Sequence, residues 1–451
     1  MTKPSRSRAA AYRILYEVLE KDAFSHIMLR DTLNQNPDMT RQERAFAGRL
    51  VHGTLNHLLE MDWMLSGFSK MKIDKLKPAV RTILRMSVYQ ILYMDSVPDH
   101  AVLSEAAALM DSKGLTGLKG YVNGVLRALL RGRDTVKWPD DSDFGHYAAI
   151  RYSLPEWLAV KWEKELGRER TEAMLEAFLK PSHTVARCNL SLASREDILE
   201  MLAAEQVCAV ADPYIPSAIR LVEYDRIDRL QCFQKGFIQI QDIGSILAGL
   251  AADPPKGGYC VDCCAAPGGK SLCAADLLGG SGFVDSRDLT ADKTALIREN
   301  IARTGFTNIG VREWDARMAD PALKEKADVV IADLPCSGLG VIGRKPEIKY
   351  RITPAQLKEL VSLQREILSA VWTYVKPGGR IVYSTCTVNR AENQENVRWF
   401  MEHFPFKLVR QDGLLPEEMK ECITPEGMVA MLPGQSESDG FFIAVMERIG
   451  L

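Results

Sequence analysis

Two cysteines follow short apolar stretches: Cys336 in Asp333-Leu334-Pro335-Cys336, and Cys386 in Ser384-Thr385-Cys386-Thr387. A thiolate is a strong nucleophile, and a second thiol beside it can handle a proton, so a pair suggests covalent catalysis. Either one alone reads as an ordinary buried cysteine, a common core residue. Their setting argues otherwise. Val329-Val330-Ile331-Ala332 precedes the first and Arg380-Ile381-Val382-Tyr383 the second, and both read as strands. Residues just past the carboxyl ends of strands in an open parallel sheet converge on one crevice. Asp333, three residues before Cys336, brings a carboxylate to the same place.

A third strand end upstream adds a ligand site. Tyr259 to Cys264 reads as a strand and leads into Ala265-Ala266-Pro267-Gly268-Gly269-Lys270, a turn that opens a helix. The turn has neither the G-x-G-x-x-G spacing of a dinucleotide site nor the G-x-x-x-x-G-K-[ST] spacing of a phosphate loop. Its small residues still let a ligand approach the backbone. The next strand ends in Asp288, where an acid binds ribose hydroxyls. Asp315, read as ending the third strand, either meets the exocyclic amine of an adenine or serves only its turn. A ribose- and adenine-binding crevice without a pyrophosphate loop points to S-adenosylmethionine over NAD or ATP. Asp262, just before the turn, reads as a cap for backbone amides. Glu392, Asn393 and Glu395 read as architecture at the opening of a helix capped by Asn389.

The elements that must position these groups alternate from Gly236 onward. Strands are expected at Gly282 to Asp288, Gly310 to Asp315, Asp328 to Asp333, Arg380 to Thr385 and Gly440 to Met446. Helices are expected from Lys270, from Ala291 and over Pro354 to Tyr374. Such alternation predicts βαβ units and a mostly parallel, doubly wound sheet over residues 236–451. Residues 1–140 read as all-α: Ile14, Leu15, Val18 and Leu19 form one stripe, and Val80, Ile83, Leu84, Val88, Ile91 and Leu92 another behind Pro78. Residues 141–235 read as a small α+β module bridging the other two. Within it, Ser194-Arg-Glu-Asp197 has the spacing of a capping box.

At 451 residues, composition is that of a soluble globular chain of two or three domains. No signal-like or membrane-spanning apolar run is present, which points to the cytoplasm. Ten cysteines then read as free thiols. Cys260, Cys263 and Cys264 form a C-x-x-C-C without a second ligand pair, so the reading is a buried strand and no metal. Charge is unevenly spread. Residues 1–140 hold 21 Lys+Arg against 15 Asp+Glu, and the remainder 36 against 44. A basic module joined to an acidic one fits a polyanionic partner. Lys70, Lys72, Lys75 and Lys77 cluster there, as do Arg127, Arg131 and Arg133.

Cys264-Ala-Ala-Pro-Gly-Gly-Lys270, Asp333-Leu-Pro-Cys-Ser-Gly338, Ser384-Thr-Cys386 and Asp439-Gly-Phe-Phe442 together resemble the RNA 5-methylcytosine methyltransferases. Within these the chain resembles the bacterial RsmB (Sun/Fmu) subfamily, which modifies small-subunit ribosomal RNA. Lys119-Gly-Tyr-Val-Asn-Gly-Val-Leu-Arg127 is similar to that subfamily's NusB-like signature. Leu334 and Thr387 depart from the usual pattern without removing a reacting group. The resemblance implies a NusB-like RNA-binding domain, a middle module and a Rossmann-like methyltransferase domain. It implies that Cys386 attacks carbon 6 of cytosine, that Asp333 binds the base edge, and that Cys336 removes the carbon 5 proton. Lys270 orients either the base or only the turn. The backbone from Cys264 through Ala265, Ala266, Pro267, Gly268 and Gly269 to Lys270 would hold S-adenosylmethionine, with Asp288, Asp315 and Asp333.

The implied partner is small-subunit (16S) ribosomal RNA, naked or in early assembly, bound by a monomer with the target base flipped out. Alternatives are another RNA as substrate (large-subunit ribosomal RNA or transfer RNA), or a non-catalytic antitermination factor; the two intact cysteines argue against the latter. An amino-group methyltransferase would need an Asp/Asn-Pro-Pro-aromatic motif, which Leu334 and Cys336 do not fit.

Overall fold

The computed structural model describes residues 3–450 and divides them into two compact units. The first runs to Lys180 and also takes in Ile342–Arg351; the second holds Pro181–Val341 and the chain from Ile352 onward. The boundary at Lys180 cuts through the segment 141–235, so its helices up to Leu179 fold with the first unit and the strands and short helices after it with the second.

The first unit is helical: α1 (Arg6–Glu20), α2 (Ser25–Asn34), α3 (Arg41–Asn56), α4 (Leu58–Ser66), α5 (Pro78–Tyr93), α6 (Asp99–Ser112), α7 (Lys119–Gly132), α8 (Phe144–Arg151), α9 (Glu156–Leu166) and α10 (Arg168–Leu179). Thr40 and Glu43 cap α3 reciprocally, and Pro78 opens α5, where its missing N–H costs nothing. Ile14, Leu15 and Val18 meet Val80, Ile83, Leu84, Val88 and Ile91 in one core, as their helical spacing predicts. The lysines at 70, 72, 75 and 77 and the arginines at 127, 131 and 133 are all exposed.

The excursion Ile342–Arg351 completes this unit through polar contacts. Glu347 accepts from the Ser25 N–H (3.0 Å) and hydroxyl (2.9 Å). Lys349 Nζ donates to the carbonyls of Asn56 (3.0 Å) and Tyr152 (3.2 Å). The Tyr350 hydroxyl donates to the Leu55 carbonyl, and Arg351 to those of Val18 and Ala23. Six residues after Cys336, the chain is therefore already part of the helical unit.

The second unit begins with β1 (Thr184–Cys188), α11 (Arg195–Ala204), β2 (Cys208–Ala211), β3 (Ala218–Glu223), α12 (Gln231–Gln234) and β4 (Ile238–Ile240). The strands form an antiparallel sheet in the order β2-β3-β1-β4. Ser194 and Asp197 form the expected capping box on α11. β4 carries this sheet past residue 235.

Next come α13 (Ile243–Ala252), β5 (Tyr259–Asp262), α14 (Gly269–Leu278), β6 (Phe283–Asp288), α15 (Ala291–Thr304), β7 (Ile309–Glu313), β8 (Ala327–Asp333), α16 (Glu347–Arg351, within the first unit), α17 (Pro354–Val371), β9 (Val375–Thr385), α18 (Gln394–His403), β10 (Phe406–Val409), β11 (Val429–Met431) and β12 (Phe441–Arg448). The main sheet has the order β10-β12-β9-β8-β5-β6-β7, with β11 also paired to β12. β7 through β9 run parallel; β12 is antiparallel to β9 and β10. From β5 the order goes to β6 and β7 on one side and to β8 and β9 on the other. That reversal opens a crevice at the carboxyl ends of β5 and β8. No described helix is long and apolar enough to cross a membrane.

Candidate active site

The turn after β5 is pinned from several sides. Asp288, at the end of β6, accepts the Ala266 N–H at 2.9 Å and the Leu289 N–H at 2.7 Å, and pairs with Lys293 at 3.0 Å. The Arg287 carbonyl takes the Ala265 N–H, and Asn300 donates to the Pro267 carbonyl. Gly268 has φ +109°, in the left-handed region, where a side chain would be strained. The Ala266–Pro267 bond is cis. A carboxylate accepts about four hydrogen bonds, so Asp288 keeps capacity for a ligand hydroxyl beside the turn. Asp262 is fully buried. Its Oδ2 accepts from Ser271, not from backbone amides as expected, and its Oδ1 has no partner among the described residues. Burial pushes its carboxyl up to about 7, against the Ser271 hydrogen bond and the Lys270 charge. A buried acceptor without a donor among the described residues, spare acceptor capacity on Asp288 and an open turn suit a nucleoside-bearing cofactor.

Asp315 does not end its strand. β7 stops at Glu313, and Asp315 sits in the following turn, forked by Arg317 at 3.0 and 2.6 Å. These hydrogen bonds hold its carboxyl below the usual range. The strand reading overran because Trp314 and Asp315 continue the extended pattern, whereas the acid instead ties the turn to Arg317.

At the other end of the crevice, Asp333 closes β8. Its Oδ1 accepts from Ser384 at 2.7 Å and its Oδ2 from Lys270 Nζ at 2.6 Å. Lys270 is 8 % exposed and also donates to Ser245 of α13 at 2.9 Å. Burial pulls its ammonium down, but the charge and hydrogen bond of Asp333 outweigh this and leave its pKa raised. Lys270 is therefore a cation at neutral pH, and the structure ties it to Asp333 as well as to the turn.

The two thiols touch. Cys336 Sγ and Cys386 Sγ lie 3.3 Å apart, both free of disulfides. The hydrogen bond to Cys386, then burial, push the Cys336 thiol well up, with the Glu392 charge adding to the effect. Cys386 instead lies near Lys270, whose ammonium it helps to hold. Either sulfur can donate to the other, and of the two it is Cys386 whose charge bears on Lys270.

Close backbone approach seals the site. The Gly340 N–H donates to the Cys386 carbonyl at 3.0 Å, and the Gly440 N–H to the Gly340 carbonyl at 2.9 Å. A Cβ on Gly340 would meet the Gly440 carbonyl oxygen at 2.1 Å, and one on Gly440 would meet Gly340 Cα at 2.8 Å, which explains the glycine of the Asp439-Gly-Phe-Phe motif. Glu392, read as architecture, is a buried hub. Asn389 does not cap α18, whose N-cap position is Asn393. Sequence reading missed Ser245, Ser384, Ser337 and Gln364. Of these, only Ser384 and Ser337 carried a signal, being neighbours of the two cysteine motifs. Cys260 and Cys263 lie in the core and Cys264 is half-buried.

Three family models match: "16S rRNA methyltransferase RsmB/F" over residues 250–447, "NusB family" over 5–131, and an RsmF/B-like ferredoxin-like domain over 154–228. The chain is 35 % identical over 452 residues to a Bacillus subtilis protein named probable ribosomal RNA small subunit methyltransferase B, covering 99 % of this chain and 100 % of that one. It is 30 % identical to a protein of the same name from Synechocystis, over 98 % and 99 % of the two. The crystal structure of PH0851 superimposes with a TM-score of 0.83 at 25 % identity, covering 99 % of this chain and all of that one.

Proposed function

Because the chain belongs to the ribosomal RNA small subunit methyltransferase B family, we propose that it methylates carbon 5 of a cytosine in small-subunit ribosomal RNA through a covalent adduct with Cys386. The single observation that supports this most is the 3.3 Å pair of thiols beside the Lys270–Asp333 ion pair. S-adenosylmethionine is the cofactor and supplies an electrophilic methyl group. Asp288 and the turn Cys264–Lys270 would hold it, with Asp315 and Asp333 contributing. The remaining chemistry belongs to the chain.

Carbon 5 of cytosine is a poor nucleophile. The Cys386 thiolate adds to carbon 6, and the electron pair of the ring double bond becomes available at carbon 5. Asp333 would hydrogen-bond the base edge at ring nitrogen 3 and the amine, and the Lys270 cation it holds offsets the negative charge as the adduct forms. Once Cys386 is bonded to carbon its negative charge is gone, and with it the largest force keeping the proton on Cys336. Cys336 can then accept the carbon 5 proton, and the carbon–sulfur bond to Cys386 breaks to restore the ring. No metal enters the scheme. In this reading residues 1–140 bind RNA, 141–235 bridge, and 236–451 carry out the transfer. The enzyme works as a cytoplasmic monomer on naked or early-assembly 16S ribosomal RNA.

Purified protein with labelled S-adenosylmethionine and unmodified ribosomal RNA should place label on cytosine carbon 5. Cys386→Ala should abolish both transfer and adduct. Cys336→Ala should attack but release slowly, leaving a protein–RNA adduct that survives denaturing electrophoresis. The opposite pattern would reverse the two roles, and label on another base or atom would refute the proposal.

A further inference from the structure

Two loops carry the thiols, and one buried carboxylate ties those loops together. Glu392 is 0 % exposed. Its Oε1 accepts the Ser337 N–H at 2.8 Å and Gln364 Nε2 at 3.1 Å; its Oε2 accepts the Ser337 hydroxyl at 2.6 Å and Asn389 Nδ2 at 2.9 Å. Four donors fill the capacity of one carboxylate. Ser337 directly follows Cys336, and Asn389 lies three residues past Cys386. The loops also meet through Ser337 Oγ and Thr387 Oγ1 at 2.7 Å. Ser337 spends its proton on Glu392, so Thr387 must donate to Ser337, while the Asn389 N–H donates to Thr387 at 3.2 Å. A one-directional chain of donors thus runs from the Cys386 loop through the Cys336 loop and ends on Glu392.

All four partners donate, so only a carboxylate satisfies them. A glutamine amide would turn its own N–H groups against two of them. Burying a charge is also a poor route to stability when apolar packing of the same volume serves as well. We propose that Glu392 is a positioning residue, holding Ser337 and Asn389 in one frame and thereby keeping Cys336 Sγ against Cys386 Sγ. The proposal rests on the reading that these thiols act in turn on a cytosine. Loss of the frame separates attack from release, because the proton carrier is no longer beside the nucleophile.

The test uses the full-length protein and two readouts. Diamide oxidises neighbouring thiols, taking up the two electrons and two protons released as the sulfur–sulfur bond forms, and peptide mass spectrometry follows the Cys336–Cys386 product. Glu392→Gln should slow this crosslink and lower kcat by roughly 10- to 100-fold, the scale at which misplacing reacting groups by about 1 Å acts. KM for S-adenosylmethionine should stay within about twofold, as expected when only transition-state geometry is lost. A folded Glu392→Gln protein that crosslinks and turns over like the parent would overturn the proposal. If that variant does not fold, Ser337→Ala carries the test: it removes the bridge between Thr387 and Glu392, and an unchanged crosslinking rate would equally overturn it. Parent protein that crosslinks but leaves cytosine unmethylated would refute the proposed reaction and not the clamp.

Discussion

The two compact units each bury a lysine, and the two lysines behave in opposite ways. Lys270 in the crevice is 8 % exposed and Lys349 in the helical unit 3 %. Lys270 touches a carboxylate, Asp333, and its pKa is raised. Lys349 donates to the carbonyls of Asn56 and Tyr152 and lies over the Tyr350 ring, and burial pushes it down to about 7, with the Glu60 charge opposing. Burial alone does not decide the charge of an amine; a formal counter-charge in contact does. The crevice therefore holds a permanent cation near the Cys386 thiol, and the helical unit holds an amine that sheds its proton near neutrality.

The largest expected effect tests Lys349. An unfolded lysine releases its proton near 10.4, so between pH 7 and 10 the unfolded chain holds a proton that the folded one has lost. Stability of the helical unit should then rise with pH across that window, by on the order of 4 kcal/mol in total. Lys270 adds nothing to this slope. Its folded value is raised, so its contribution persists until pH passes the ordinary lysine value. Denaturant melts from pH 6 to 10 on the parent and Lys349→Met should show the slope in the first and its loss in the second; a slope surviving in Lys349→Met would break the comparison.

A somewhat smaller effect is expected at Lys270. Lys270→Met leaves Asp333 without its cation and Cys386 without its nearby positive charge. Initial rates should fall by roughly 10²-fold, the usual consequence of removing one preorganised electrostatic partner. Lys349→Met should transfer methyl at the parent rate near pH 8, where its amine is mostly neutral in any case. Equal losses in both variants would mean that the crevice cation has no special standing.

The smallest effect sharpens the contrast within the crevice itself, between its cofactor end and its thiol end. Asp288→Ala should weaken S-adenosylmethionine binding by about 1–3 kcal/mol, the cost of stranding buried hydrogen-bond partners. RNA affinity should barely move. Calorimetry giving parent-like cofactor affinity in a folded Asp288→Ala protein would remove the ribose assignment.

Much of this was legible from residues alone. The strand–helix alternation from Tyr259 onward, the Ala265–Lys270 turn and the strand ends bearing Asp288, Asp333 and the two cysteines all have local signatures. Period, turn chemistry and small residues announce them. What escaped depends on partners far along the chain. Glu392 reads as helix-start architecture, and only its distant partners Ser337 and Gln364 make it the hub that joins two loops. Ser245 sits on a helix whose apolar run hides its hydroxyl's partner, Lys270. Asp315 reads as a strand end because its Arg317 partner, which fixes it in the turn after β7, has no signature of its own in the sequence. The division at Lys180 and the excursion Ile342–Arg351 left no mark at all, since Lys345 to Arg351 reads as an ordinary charged stretch.

That excursion sets a schedule for synthesis. Ser25 is separated from Glu347 by 322 residues, and Asn56 from Lys349 by 293. A chain emerging amino end first builds α1 through α10 early, with the Ser25 hydroxyl and the carbonyls of Leu55, Asn56 and Tyr152 still lacking their final partners. Contacts of such separation form late and slow the final folding step. The helical unit can therefore reach its finished form only after β8 and the loop bearing Cys336 have left the ribosome. Completion of the amino-terminal unit and delivery of the Cys336 thiol become one event in time.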